Sequence, residues 1–210
     1  MKPEFLNRLE AYVKKSLKND KSGHDYTHTK RVLKNMFMIV ENSLEADKDV
    51  LIISCWLHDI AYKDGVIKDH HLVGAREAEE FLKKIGYPEE KIKKVKIIIE
   101  DHVRKTTKPL RSDSELCIES KILLDADHLD ALGKIGIKRA SKFNREAKRP
   151  EIISKEDKFN DSLYGSLKQI TLWAENTFTL EGARIAKLRV KPIRPYLTKL
   201  EKKFQARLTS

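Results

Sequence analysis

The sequence predicts an all-α protein of about eight or nine helices, and three observations carry that expectation. Apolar residues recur at helical spacing in one segment after another, beginning with Phe5, Leu6, Leu9, Tyr12, Val13 and Leu17. The apolar–polar alternation of a half-buried strand is missing, except for a short pair that the stretch 144–161 could hold. The run Leu51-Ile52-Ile53-Ser54-Cys55-Trp56-Leu57-His58-Asp59-Ile60-Ala61 is apolar on nearly every side. A helix of that kind has to be surrounded by others.

The elements follow in order. The first helix spans residues 4–18 and breaks at Asn19-Asp20-Lys21-Ser22-Gly23. A second begins near Tyr26 with Asp25 as its N-cap, and turns Val32, Leu33, Met36, Ile39 and Val40 inward. The buried third helix covers about 47–61. After the loop Tyr62–Val66 a fourth runs from about 70 to 85, stopped by Gly86-Tyr87-Pro88. A fifth, 89–104, carries Ile92, Val95, Ile98 and Ile99. Ser112-Asp113-Ser114 offers caps for a sixth that reaches Leu132, and Gly133 and Gly136 punctuate the next join. The polar segment 144–161 is expected as a long surface loop or flap. Helical patterns near 160–178 and 180–207 end the chain, the latter broken around Pro192 and Pro195. Two short echoes, Gly74-Ala75-Arg76-Glu77-Ala78 and Gly182-Ala183-Arg184-Ile185-Ala186, have unmatched surroundings, so close helix crossings explain them better than duplication.

With 210 residues, 40% of them hydrophobic, the chain can build a sizeable core. Its 43 basic residues against 32 acidic give a net charge of +11. That excess suits an anionic substrate such as a nucleotide or nucleic acid, and equally a merely soluble surface. Cys55 and Cys117 lie far apart in apolar settings and read as small buried hydrophobes, not a disulfide. No apolar run approaches a membrane span and the start shows no signal-peptide pattern, so a cytoplasmic protein is expected.

The seven histidines carry the chemistry. His24 and His28 flank the start of the second helix, His58 adjoins Asp59, and His70 and His71 open the fourth helix. His102 ends the fifth, and His128 lies among Asp125, Asp127 and Asp130. Each sits at a helix end or beside a carboxylate, where ligands from several helices can converge. An imidazole buried beside a carboxylate needs a partner, and a divalent first-row ion is one.

Three ordered motifs resemble those of the HD-domain metal-dependent phosphohydrolases: Gly23-His24-Asp25-Tyr26-Thr27-His28-Thr29-Lys30-Arg31-Val32, Trp56-Leu57-His58-Asp59-Ile60-Ala61, and Asp125-Ala126-Asp127-His128-Leu129-Asp130-Ala131-Leu132-Gly133. In the third, His128 stands where Arg is more usual. The resemblance covers residues 20–140 strongly and the later helices only in general pattern. It implies an HD-type helical bundle over 1–210, with the metal-site core at 20–140 and a C-terminal helical extension at 141–210. It also implies that His28, His58, Asp59 and Asp127 ligate a divalent ion, whether Mn, Fe, Co, Ni, Zn or Mg. His71 and His102 occupy places comparable to a second-metal pair in the dinucleoside polyphosphate-cleaving branch, so one or two ions per chain are expected. The open alternative is that these two contact substrate phosphate or cap helices.

Other assignments rest on neighbourhood. Asp59 could bridge two ions, and Asp64 takes the place where relatives hold an acidic residue that orients the attacking water. Arg31, one helical turn after His28, can aim a guanidinium at a phosphate. Arg76, Arg104 and Lys105 adjoin the two extra histidines and are assigned to phosphate binding. Asp125 orients a ligand or caps a helix, while His24 and Asp25 orient the first ligand. No Gly-rich phosphate loop, Gly-x-Ser-x-Gly elbow or Cys-x-x-Cys pair occurs, which argues against a serine or cysteine nucleophile. Beyond Gly182 the segment is rich in Lys and Arg but poor in interleaved aromatics, so a solvated face is favoured there over nucleic-acid binding. The expected activity is hydrolysis of a phosphoester or phosphoanhydride in a nucleotide-like small molecule by metal-activated water. A non-catalytic nucleotide or RNA binder and a di-iron oxygenase are the alternatives. An apolar helix face near the C-terminus could pair two copies into a homodimer.

Overall fold

The computed structural model describes the chain apart from residues 1, 21, 41–44, 65–68, 104–110, 159–160 and 209–210, and apart from the side chains of 63, 64, 207 and 208. Among the described residues there are ten α-helices and no strand, slightly more helices than the periodicity predicts. They are α1 Pro3–Ser16, α2 Tyr26–Val40, α3 Lys48–Leu57, α4 His70–Lys84, α5 Glu89–Asp101, α6 Ile118–Asp130, α7 Gly133–Glu146, α8 Leu163–Glu175, α9 Leu180–Arg189 and α10 Ile193–Leu208. Short 3-10 turns at Leu17–Asn19, Ile60–Asp64 and Asp113–Glu115 join some of them. The chain divides into two units, Met1–Ala126 and Asp127–Ser210, the division falling within α6.

In the first unit α3 is the hub, packing against α1, α2, α4 and α5. Its residues Val50, Leu51, Ile53, Ser54, Cys55, Trp56 and Leu57 are all buried, as an apolar surface on every side requires. Asp47 caps its start by accepting from the Val50 amide at 3.2 Å, satisfying one of the amides that a helix leaves open. Helix α3 is shorter than the apolar run suggests. It ends at Leu57, and residues 60–64 tighten into a 3-10 turn with the Tyr62 amide on the Asp59 carbonyl at 3.0 Å. Asp25 caps α2 as expected, taking the His28 amide at 2.8 Å. Helices α4 and α5 lie along each other and press their small and apolar stripes inward. At Gly74 α4 comes near the end of α3, where a Cβ would make ordinary contact, 3.4 Å from the His58 carbonyl oxygen.

Several local expectations are corrected. Ser112 does not cap α6. It forms a capping box with Glu115 around the 3-10 turn at 113–115. Cys117 is exposed, with its thiol 3.2 Å from Ser120 Oγ, while Cys55 is buried. Of the segment 144–161, residues to Glu146 belong to α7, and the described remainder holds no strand.

In the second unit α8 packs against α7, α9 and α10. Several described residues of the connection between α7 and α8 are tied by buried contacts. Ile152 and Asp157 are buried, and Asp157 accepts from the Ile153 and Ser154 amides, each at 2.8 Å, and from Ser162 Oγ at 2.5 Å. Gly136 lies inside α7 because a Cβ there would fall 1.8 Å from the Ala131 carbonyl oxygen. The basic C-terminal segment is partly neutralised within the unit. Arg184 pairs with Glu181 at 2.6 Å and Lys203 with Glu151 at 3.2 Å. Arg189 donates to the Leu129 carbonyl at 3.2 Å. No helix among the described residues is long and apolar enough to cross a membrane.

Candidate metal centre

At two helix ends of the first unit an imidazole folds back onto a carbonyl oxygen of the last turn. At the end of α3, His58 Nδ1 lies 2.9 Å from the Cys55 carbonyl oxygen. At the end of α5, His102 Nδ1 lies 2.5 Å from the Ile99 carbonyl oxygen. A carbonyl only accepts, so each ring carries a proton on Nδ1, and in the neutral ring Nε2 turns outward as a lone pair. Both Nε2 atoms turn towards Asp59.

The Asp59 carboxylate divides its two oxygens between two sets of imidazoles. Oδ2 lies 3.1 Å from His58 Nε2 and 3.2 Å from His28 Nε2. Oδ1 lies 3.4 Å from His102 Nε2 and 3.8 Å from His70 Nε2. The potential ligand atoms of His28, His58 and Asp59 fall within 4.8 Å of one another, and so do those of Asp59, His70 and His102. Asp59, His28, His58 and His102 are buried, and His70 is partly exposed. Asp59 Oδ2 and His102 Nε2 make no hydrogen bond with any described group despite that burial. A buried acceptor in this state costs roughly 1–3 kcal/mol, more if charged. Lone pairs from neutral imidazoles facing a carboxylate repel until a cation enters. A divalent ion fits this donor set, which combines nitrogen and carboxylate oxygen as borderline ions prefer.

Burial pushes the Asp59 carboxyl upward. Without a cation, proton charge on the nearby imidazoles of His58 and His24, together with the approach of His102 and His28, outweighs that and holds it well below the usual carboxylate range. A divalent ion would take over that charge when the rings bind through their lone pairs.

The remaining assignments separate clearly. His71 is buried but belongs to neither group. Its Nδ1 makes no hydrogen bond with a described residue, and burial, followed by the nearby His102, pushes its pKa down. His70, which sequence reasoning took only as a helix opener, falls in a group with Asp59 and His102 that could hold an ion. Two adjacent helix residues point about 100° apart, so the sequence could not say which of the pair turns inward. Asp127 is partly exposed and is the first residue of the second unit. Asp125 is fully buried. Arg31 is partly exposed and Arg76 is exposed. Asp64 closes the 3-10 turn, but its side chain lies outside the described residues, as do Arg104 and Lys105 altogether.

Sequence reasoning also missed the aromatic packing around the cluster. The His24 ring stacks on Tyr62 with centroids 4.0 Å apart. His24 Nδ1 is 2.8 Å from Ser22 Oγ, which itself donates to Asp20 Oδ1 at 2.7 Å. In the second unit His128 stacks on Trp173 at 4.7 Å. The spacing Tyr62-x₇-His70 carries no signal by itself, because the intervening turn decides which way the ring points.

The sequence model of the HD domain family matches residues 25–132. Bacillus subtilis YpgQ is 30% identical over 136 residues, which are 65% of this chain and 64% of YpgQ, so the match spans just under two thirds of that relative. The structure of YpgQ in complex with ADP aligns over 95% of both chains at 24% identity with a TM-score of 0.74. An HD-superfamily hydrolase from Bacillus thuringiensis aligns over 98% of this chain and 100% of its own at 24% identity, with a TM-score of 0.71.

Proposed function

This chain belongs to the HD domain family, and we propose that it is a metal-dependent phosphohydrolase that cleaves a phosphoester or phosphoanhydride of a nucleotide-like substrate. One observation carries the reading: a buried carboxylate, Asp59, offers one oxygen to His28 and His58 and the other to His70 and His102. Asp59 would hold one ion with His28 and His58, and could hold a second with His70 and His102. Bound divalent ions would supply a Lewis acid for phosphoryl oxygen and a water of lowered pKa. The protein's own share is to fix those ligands beforehand. His58 and His102 are locked in one tautomer by their helix carbonyls, so little reorganisation accompanies binding.

From its motif alone Asp127 is proposed as a further carboxylate ligand, with Asp64 orienting the attacking water. Arg31, Arg76, Arg104 and Lys105 are proposed as phosphate contacts, and His71 as a neighbour of the second site. The nucleotide class draws support from the ADP complex of YpgQ and from the net charge of +11, which favours approach of anions.

The test is elemental analysis of the purified protein coupled to phosphate release from a panel of nucleotides with each divalent metal. Bound metal with release from some nucleotides is the expected result. Binding without turnover on any phosphoester would replace the hydrolase with a nucleotide binder. Iron content with oxygen-dependent turnover would point to an oxygenase.

A further inference from the structure

The 3-10 turn that follows the His58–Asp59 pair swings one aromatic ring back beside the cluster. Tyr62 is bonded through its amide to the Asp59 carbonyl at 3.0 Å, and only 8% of its surface is exposed. Its ring stacks on His24, 4.0 Å between centroids and 11° between planes. The same ring also meets His70, 4.8 Å between centroids and tilted by 47°.

The two neighbours are held very differently. His24 is anchored, since Asp20 gathers the amides of Gly23 and His24 at 2.9 Å each and binds the Ser22 hydroxyl that meets the His24 ring. That makes the face of His24 a fixed wall. His70 is the first residue of α4, directly after Asp69 in a left-handed conformation, so its backbone stands at a helix end. Helix ends fray more readily than helix interiors. The rings that pack against it, Tyr62 and, at 5.1 Å between centroids, His102, therefore bear on where the His70 side chain lies.

We propose that Tyr62 is a positioning residue for the second cation: packed against both His24 and His70, its ring holds His70 Nε2 against Asp59 Oδ1. Both contacts run from ring to ring, stacked on His24 and tilted on His70, so the role is assigned to the aromatic body. The inference rests on the two-ion reading of Asp59 given above. It predicts an asymmetry, because His28 and His58 face the other oxygen of Asp59 and His58 has its own carbonyl lock. Loss of the Tyr62 ring should loosen one site and leave the other.

The experiment is calorimetric titration of chelator-stripped protein with Mn²⁺ alone, for the wild type, Tyr62→Phe and Tyr62→Leu, with helix content checked by circular dichroism. The wild type and Tyr62→Phe should each take up two ions. Tyr62→Leu should retain the tighter site and weaken the second roughly 10–100-fold, the range seen when a group that orients a ligand is removed. In a His70→Ala background the Leu substitution should have no further effect on Mn²⁺ uptake. If Tyr62→Leu does not fold, Tyr62→Met removes the ring with a more adaptable side chain and is read in the same way. Two unchanged sites in the ring-less variant, or equal weakening of both, would overturn the positioning role while leaving the two-ion reading intact. A wild type that saturates with a single ion would overturn both.

Discussion

At the scale of single residues, Asp59 decides what the cluster can be. It is the one acidic group to which the four imidazoles of His28, His58, His70 and His102 point among the ion pairs described, and its charge is what makes lone pairs on those rings useful to a cation. Asp59→Ala should keep the helix content, because the helix that carries it is capped at Asp47 and buried by its apolar residues. The same variant should lose more than about a hundredfold in metal affinity, beyond what loss of an outer group costs, and lose phosphate release with it. Asp59→Asn keeps the shape and removes the charge, so elemental analysis of the two variants side by side separates ligation from packing. Retention of full metal content by Asp59→Ala would remove Asp59 from the centre. Much of this was legible in the sequence: His28, His58 and Asp59 stand out as buried-type polar residues at helix ends, and the structure brings them together. That His70 and not His71 falls within reach of Asp59 and His102 was not legible, since it depends on how α4 is rotated against its neighbours.

At the scale of elements, the centre is as good as the helix ends that present it. Asp47 caps α3 on the Val50 amide and lies 3.1 Å from Lys91 Nζ. Burial tends to raise its carboxyl, but the Val50 amide and Lys91 prevail and hold it below the usual value. A carboxyl depressed in the folded state contributes stability above its unfolded pKa of about 3.9 and loses it as pH falls through the lower folded value. Asp47→Ala should therefore cost about 1 kcal/mol in urea unfolding at neutral pH. That difference should stay level down to roughly pH 5 and close in more acid solution. A difference that widened with acid would show that the cap is not the source. Helix α4 carries a second test at Gly74, where an added Cβ meets the His58 carbonyl oxygen at 3.4 Å, Ile60 at 3.7 Å and Ala61 at 3.8 Å. These are ordinary contacts, so Gly74→Ala should be neutral or should stabilise by up to about 1 kcal/mol through better helix propensity. Gly74→Val adds branches with no room and should cost about 1–3 kcal/mol. It should also weaken metal binding, because it pushes the helix bearing His70 away from Asp59. The helices themselves were legible from periodicity, including Asp25 as a cap. Their ends were not. The 3-10 turn at 60–64 lies in a run whose apolar pattern continues smoothly through it, and the buried ties before α8 depend on Asp157 accepting from several backbone and hydroxyl groups that no pattern announces.

At the scale of the whole molecule, a bound ion and folding are linked. The ligands gathered at Asp59 come from α2, the end of α3, α4 and the end of α5, which are far apart in the unfolded chain. A divalent ion that binds only the assembled set stabilises the folded protein by mass action, by about 2.7 kcal/mol at a free concentration near 100 Kd. For a chain of this size each kcal/mol moves the melting temperature by about 2–4 °C, so saturating metal should raise Tm by roughly 5–10 °C over chelator-treated protein. The rise should grow with the logarithm of metal concentration above Kd, and it should be absent in Asp59→Ala. It should also be smaller in Tyr62→Leu at metal levels that fill only the tighter site. Scanning calorimetry in chelator and then in Mn²⁺, Co²⁺, Ni²⁺ and Zn²⁺ would order the metals without any assumption about the substrate. A Tm unmoved by every divalent ion would mean that the buried Asp59 carboxylate is balanced by protons on its imidazoles alone, and the metal reading would fall with it.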